Sequence, residues 1–239
     1  MDNWNVGPSG QVAAEAAEAE RVAFIRRTYA HLAGAIALFV ALERVYFATG
    51  IAETIASYAL SPRSFRYGWL LVMGAFIGVA YLAEKMARSD RPRPMQYAAL
   101  AVYAVAESLI FVPLLYIAAY YATPDVLPTA AITTLVLFGG LTAVVFMTKK
   151  DFTFLRGILS VVAIGGLATI VCSIVFGFSL GNVFCGIMLM LAAGYVLYDT
   201  SQVMLHYRTD QHVSAALKLF ASIALMFWYV LRILLNTRR

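Results

Sequence analysis

The sequence predicts an all-α, polytopic membrane protein with seven transmembrane helices, on three observations. The chain is 62% hydrophobic and only 13% charged, with a mean hydropathy of +0.78, whereas a soluble domain carries roughly a quarter charged residues. Seven apolar segments of about 17 to 25 residues can each cross a hydrocarbon core of ~30 Å as a helix. From Gly157 to Tyr198, a run of 42 residues, no side chain is charged.

Residues 1–28 form a polar segment, expected to be cytoplasmic, in which the alanines and glutamates of Val12 to Glu20 suit a short exposed helix. Residues 29–239 form the transmembrane domain. Its first span, Tyr29 to Gly50, has no secretory signal before it and is expected to act as its own insertion signal. It carries Glu43 and Arg44, about 100° apart on a helix, so Glu43 can face the bundle while Arg44 reaches the outer headgroups. The second span, Trp69 to Glu84, holds Gly74 and Gly78 as a GxxxG pair suited to close helix approach, and ends at Lys85 and Arg88. The third, Met95 to Tyr120, contains Glu107 and a kinking Pro113.

The fourth span, Thr129 to Thr148, and the fifth, Leu155 to Phe176, carry the glycine pairs Gly139-Gly140 and Gly165-Gly166. The sixth, Val183 to Leu205, is interrupted by Asp199, and the seventh, Val213 to Leu235, by Lys218 and Arg232. Cys172 and Cys185 face each other across the short loop between spans five and six, read either as packing residues or as a disulfide. Tyr58, Tyr67, Trp69, Tyr120 and Tyr121 gather where an outer aromatic belt belongs.

Loop charge orients the chain. Twelve of the eighteen basic residues, Lys149, Lys150, Arg26 and Arg27 among them, fall inside if the N-terminus is cytoplasmic. Arg44, Arg63, Arg66, Arg232, Arg238 and Arg239 do not, and the last two keep open a six-span arrangement with one re-entrant segment. The basic loops meet anionic lipid headgroups, so the positive charge calls for no nucleic acid. A multi-pass protein of the bacterial inner membrane fits best.

Charges inside the spans carry the functional argument, because each costs ~2.5 to 3.5 kcal/mol at a helix centre and is not left facing lipid. At 1.5 Å per residue from the cytoplasmic side, Asp199 lies about 9 Å deep, Lys218 about 8 Å, Ser222 about 13 Å, Glu107 about 18 Å and Glu43 about 21 Å. Lys218 and Ser222 share one helix face, as do Tyr195, Asp199 and Gln202. Asp199 therefore either pairs with Lys218 or leaves it to snorkel to the interface. Glu107, with no local partner in view, is either protonated or wetted by a cavity, and Glu43 and Glu107 are candidate ion-path residues.

Four stretches resemble one family: Arg26-Arg27-Thr28-Tyr29, Thr148-Lys149-Lys150-Asp151-Phe152, Gly194-Tyr195-Val196-Leu197-Tyr198-Asp199-Thr200-Ser201-Gln202, and Tyr229-Val230-Leu231-Arg232-Ile233-Leu234. Together they are similar to the Bax inhibitor-1 family, over about Arg26 to Leu235, in its bacterial form. The resemblance implies six helices surrounding a central apolar C-terminal helix, and a pH-sensitive calcium leak. It also implies a gate in which an aspartate of the sixth span shares a proton with one of the seventh. Asp199 matches the first, but Ser222 stands in place of the second, and a carboxylate beside a hydroxyl is not a shared-proton pair. Asp199, Ser222 and Lys218 are the expected gate residues, and Lys85 or Arg88 the nearest match to the family's basic latch.

A pH-sensitive cation leak channel or transporter is the leading expectation, with calcium or other cations as cargo. The alternative is a non-conducting regulator of other membrane proteins, such as a modulator of a membrane-bound ATP-dependent protease, in which the polar head makes the contact. No cofactor is called for, and an enzyme is not expected: neither an HExxH, a GxSxG nor a paired cysteine-histidine set is read as a catalytic motif, and His31, His206 and His212 all lie near the cytoplasmic face.

Overall fold

The computed structural model describes residues 10–61, 67–88 and 90–237, so Arg63, Arg66, Arg238 and Arg239 of the charge count lie outside the described residues. Eight helices and no strand occur among them: α1 (Glu18–Ala48), α2 (Ile51–Ala59), α3 (Tyr67–Met86), α4 (Arg93–Tyr121), α5 (Val126–Thr148), α6 (Leu155–Phe176), α7 (Asn182–Leu205) and α8 (His212–Thr237). All but α2 are long and apolar enough to cross a membrane, giving seven spans, the last an unbroken 26 residues. The connections alternate between two ends of the bundle. The end expected to face the cytoplasm, called the inner end below, holds the α3–α4, α5–α6 and α7–α8 loops.

Local chemistry sets the breaks. Gly50, in the left-handed region at φ 78°, ends α1 and starts the short α2, whose Ala52 and Ala56 are buried. Lys149 (φ 51°) and Gly177 (φ 78°) stop α5 and α6 in the same way. Pro92 precedes α4 and Pro94 sits in its first turn, where a missing N–H leaves no bond unmade. The helix continues through buried Pro113, which deprives the Leu109 carbonyl of its helical donor.

The core sits on α4 and α8, where more than half of the apolar window is buried. α8 packs against α1, α4, α5 and α7, while α3 joins mainly through α4 and α6 through α7. Phe111 of α4 ties the centre together, edge-on to Phe39 (5.2 Å) and Trp228 (5.1 Å) and stacked on Phe227 (5.6 Å). Outward faces are apolar as well: Leu71, Ile77, Val161 and Ile164 are exposed, as lipid-facing side chains must be.

The expected roles of the glycines are redistributed. A Cβ at Gly74, Gly78, Gly139, Gly140 or Gly165 would meet nothing within 4 Å, so the GxxxG of the second span is not a helix contact. Close approach occurs instead between α6 and α7, where a Cβ on Gly194 would lie 2.6 Å from Leu159 and one on Gly166 2.6 Å from Met188. Cys172 and Cys185 are both free thiols, one exposed and one buried.

The start of the chain also differs from expectation. Val12 to Glu20 is no separate exposed helix: Val12 bridges Arg208, the Ala13 amide donates to the Tyr207 carbonyl at 2.8 Å, and Ala13 and Ala16 are buried before α1 begins at Glu18. Gly10 permits this approach, since a Cβ there would come within 2.9 Å of Asp210 and Thr209.

Candidate functional site

α3 and α6 stand on either side of a groove of about 1220 Å³ whose floor is built by α4, α7 and α8. The groove runs from Glu84, Arg156 and Lys218 at the inner end to Trp69, Ser179 and Arg232 at the outer end. Helical periodicity places its polar side chains. Tyr195, Tyr198, Asp199 and Gln202 come from one face of α7, and Lys218, Ser222 and Leu225 from one face of α8.

Asp199 is buried and accepts a hydrogen bond from the Ser222 hydroxyl across the α7–α8 interface. The Asp199–Lys218 ion pair does not form. Lys218 instead reaches Glu84 of α3, with Nζ 2.5 Å from Oε1, both side chains being partly exposed. The reason is depth: Lys218 is one turn nearer the inner interface than Ser222, so its long side chain extends toward water and the end of α3. Lys85 and Arg88 are exposed and make no hydrogen bond or ion pair with Asp199, so the basic-latch expectation is replaced by an acidic residue, Glu84, that holds Lys218.

Glu107 is buried in the groove floor, and its partner is local after all: the Tyr103 hydroxyl, one turn earlier on α4, donates to Oε1 at 2.9 Å. That i, i+4 spacing was readable in the sequence. Glu43 is buried too, with Arg44 exposed beside it. It does not line the groove, and neither of its carboxylate oxygens has a hydrogen-bond partner. The two ion-path candidates therefore separate: Glu107 lines the groove and Glu43 does not.

The inner ends of α7 and α8 are held by a ring of loop contacts. Asp151 and Thr153 of the α5–α6 loop meet α7 through Asp151 to His206 (2.9 Å) and Gln202 to Thr153 (3.1 Å), and the Phe152 amide donates to the Ser201 hydroxyl at 3.2 Å. The hydroxyl and amide of Thr153, followed by His206, hold the Asp151 carboxyl below the usual carboxylate range. Arg93 donates to the Asp210 carbonyl at 2.8 Å, and His212 lies against His31, which stacks on Tyr97. Burial pushes the Tyr207 phenol, at the inner mouth of the groove, well up from its ordinary value.

Gly177-Phe178-Ser179-Leu180-Gly181 spells the GxSxG of serine hydrolases. It forms the outer α6–α7 loop, not a strand-to-helix elbow, and all three histidines belong to the inner end. Among the described residues no three His, Cys, Asp or Glu side chains converge as a metal site.

Residues 21–239 match the family model described as inhibitor of apoptosis-promoting Bax1. The chain is 27% identical to Bax inhibitor 1 of Schizosaccharomyces pombe, over 92% of this chain and 79% of that protein. It is 25% identical to mouse protein lifeguard 4 over 98% and 92% of the two chains. An uncharacterized protein of Neisseria meningitidis serogroup A is 27% identical, over 71% of this chain and 73% of its own length.

Proposed function

The chain belongs to the Bax inhibitor-1 family, and on that footing we propose that it is a cation leak channel or transporter that passes calcium along the groove, with Asp199 as its gate. The observation that carries this reading is the Asp199–Ser222 contact, a buried carboxylate locked to the neighbouring helix in the floor of a groove that runs the height of the bundle. Glu84, Glu107 and Asp199 line it together with Arg156, Lys218 and Arg232. Lys218 pairs with Glu84 at the inner mouth, which leaves the buried carboxyls of Glu107 and Asp199 as the groups along the floor that favour a cation over an anion. In the closed form Ser222 occupies an Asp199 oxygen that a passing cation needs, and Lys218 and Glu84 tie α3 to α8 across the inner mouth. With a hydroxyl in place of a second aspartate, Asp199 shares no proton with α8, and sensitivity to pH rests on the separate buried carboxyls of the groove, Asp199 at the gate and Glu107 on the floor. The proposed setting is a bacterial plasma membrane with the N-terminus in the cytoplasm.

Calcium entry into dye-loaded liposomes tests this reading. Ser222→Ala frees Asp199 and should raise the leak above wild type; an unchanged leak in folded protein would remove Ser222 from the gate.

A second reading, a non-conducting regulator of a membrane-bound protease, draws on the head segment folded over the α7–α8 loop at Val12 and Arg208. It predicts that deletion of residues 1–16 abolishes partner capture while Asp199→Asn leaves it intact.

A further inference from the structure

The groove has no outer wall. α3 packs chiefly on α4 and α6 chiefly on α7, so the two flanking helices stand apart and the groove opens sideways, toward lipid. Its edges are largely apolar, with Met73 and Phe76 on α3 and Ile170 and Ile174 on α6, interrupted on α6 by Ser160 and Ser173. At the inner mouth Arg156 lines the groove, is exposed, and pairs with no carboxylate among the described residues. Exposed Lys149 and Lys150 lie just ahead of it in the chain. A guanidinium without a counter-charge, at headgroup depth and above an apolar slot, matches a phosphodiester that carries a hydrocarbon tail.

We propose that the groove between α3 and α6 binds an anionic phospholipid of the inner leaflet, its phosphate on Arg156 and an acyl chain between the two apolar edges as the missing wall. The floor tolerates this neighbour because its buried polar groups are paired internally, Tyr103 with Glu107 and Ser222 with Asp199. The site goes beyond the conducting reading: the tail closes the open side of the groove that the cation would follow, and its binding does not depend on ions passing.

Trp228, on the floor, is the reporter. Of the three tryptophans, Trp4→Phe and Trp69→Phe leave it alone. Because Trp228 lies ten residues beyond Lys218 on α8, about 23 Å from the inner side, the quencher is a tail brominated near its methyl end, which from the inner leaflet comes against Trp228 by entering the groove. The protein is placed in phosphatidylcholine vesicles containing a minority of brominated phosphatidylglycerol, and in matched vesicles with brominated phosphatidylcholine as the minority lipid. Quenching should exceed that expected from bulk composition about fivefold for phosphatidylglycerol, the enrichment of one basic residue at an anionic surface. It should fall to bulk composition in Arg156→Gln and recover in Arg156→Lys. Arg44→Gln, on the lipid-facing side of α1, should change nothing. Equal quenching by the two lipids, or quenching indifferent to Arg156→Gln in protein that keeps the wild-type thermal transition, would overturn the proposal.

Discussion

Lys218 of α8 holds Glu84 of α3 at 2.5 Å and leaves Asp199 to the hydroxyl of Ser222. The contact joins α3, otherwise attached mainly through α4, to the central helix at the inner mouth of the groove. Because both side chains are 37% to 47% exposed, the pair contributes little to stability, of order 0.2 to 1 kcal/mol. Glu84→Gln and Lys218→Met should therefore each leave thermal unfolding nearly unchanged while raising calcium leak. A large loss of stability in either, with no change in leak, would make the pair a structural brace.

Glu43 gives the opposite pattern. It is buried with neither oxygen bonded, and it lies off the groove. Replacing an unsatisfied buried polar group by an apolar one of similar size is neutral or stabilising. Glu43→Met should match or exceed the wild-type melting temperature and leave leak unchanged, whereas Glu107→Met should alter leak.

The glycines separate by what surrounds them. Alanine at Gly166 or Gly194 places a Cβ 2.6 Å from the movable ends of Met188 or Leu159, so repacking should cost about 1 kcal/mol, the low end of overpacking, and offset the helix-propensity gain to leave stability near that of wild type or below it. Alanine at Gly74, which has open space around it, should stabilise α3 by roughly 0.5 to 1 kcal/mol. Thermal unfolding of the three variants in one detergent checks the contrast, and destabilisation by Gly74→Ala would restore the GxxxG contact.

The α5–α6 loop should show its own pH signature. The Asp151 carboxyl is held below the usual range in the fold, so its stabilisation is fully present above its unfolded value of about 3.9 and is lost as pH falls through the lower native value. The melting-temperature gap between wild type and Asp151→Asn should not shrink between pH 8 and pH 5, and should close only in stronger acid. A gap that closes on going from pH 8 to pH 6 would contradict the assignment.

Much of this architecture is written in composition. Seven spans follow from apolar run length alone, because backbone groups in hydrocarbon have no partner outside their own helix. Asp199 stood out for the same reason, as did the shared faces of Tyr195, Asp199 and Gln202 and of Lys218 and Ser222, all of which line the groove. Partner choice was less legible. Glu84 was read as the end of a span, and only the tilt and spacing of α3 against α8 bring it to Lys218. Tyr103 could have been paired with Glu107 by helical spacing. The Val12–Arg208 bridge and the Asp151–His206 contact join residues 196 and 55 positions apart, which no local pattern encodes. Helix α2 was missed because nine residues after a glycine are too short for a span and too apolar to resemble a loop.

Whether Asp199 gates a cation path is decided by calcium flux into dye-loaded liposomes at pH 6, 7 and 8, with wild type, Asp199→Asn and Ser222→Asp side by side. Purified wild type should give flux above empty liposomes, Asp199→Asn an altered flux, and Ser222→Asp a steeper pH dependence, since two carboxylates there share one proton. Folded protein that gives no flux above empty liposomes at any of the three pH values would contradict the gated path.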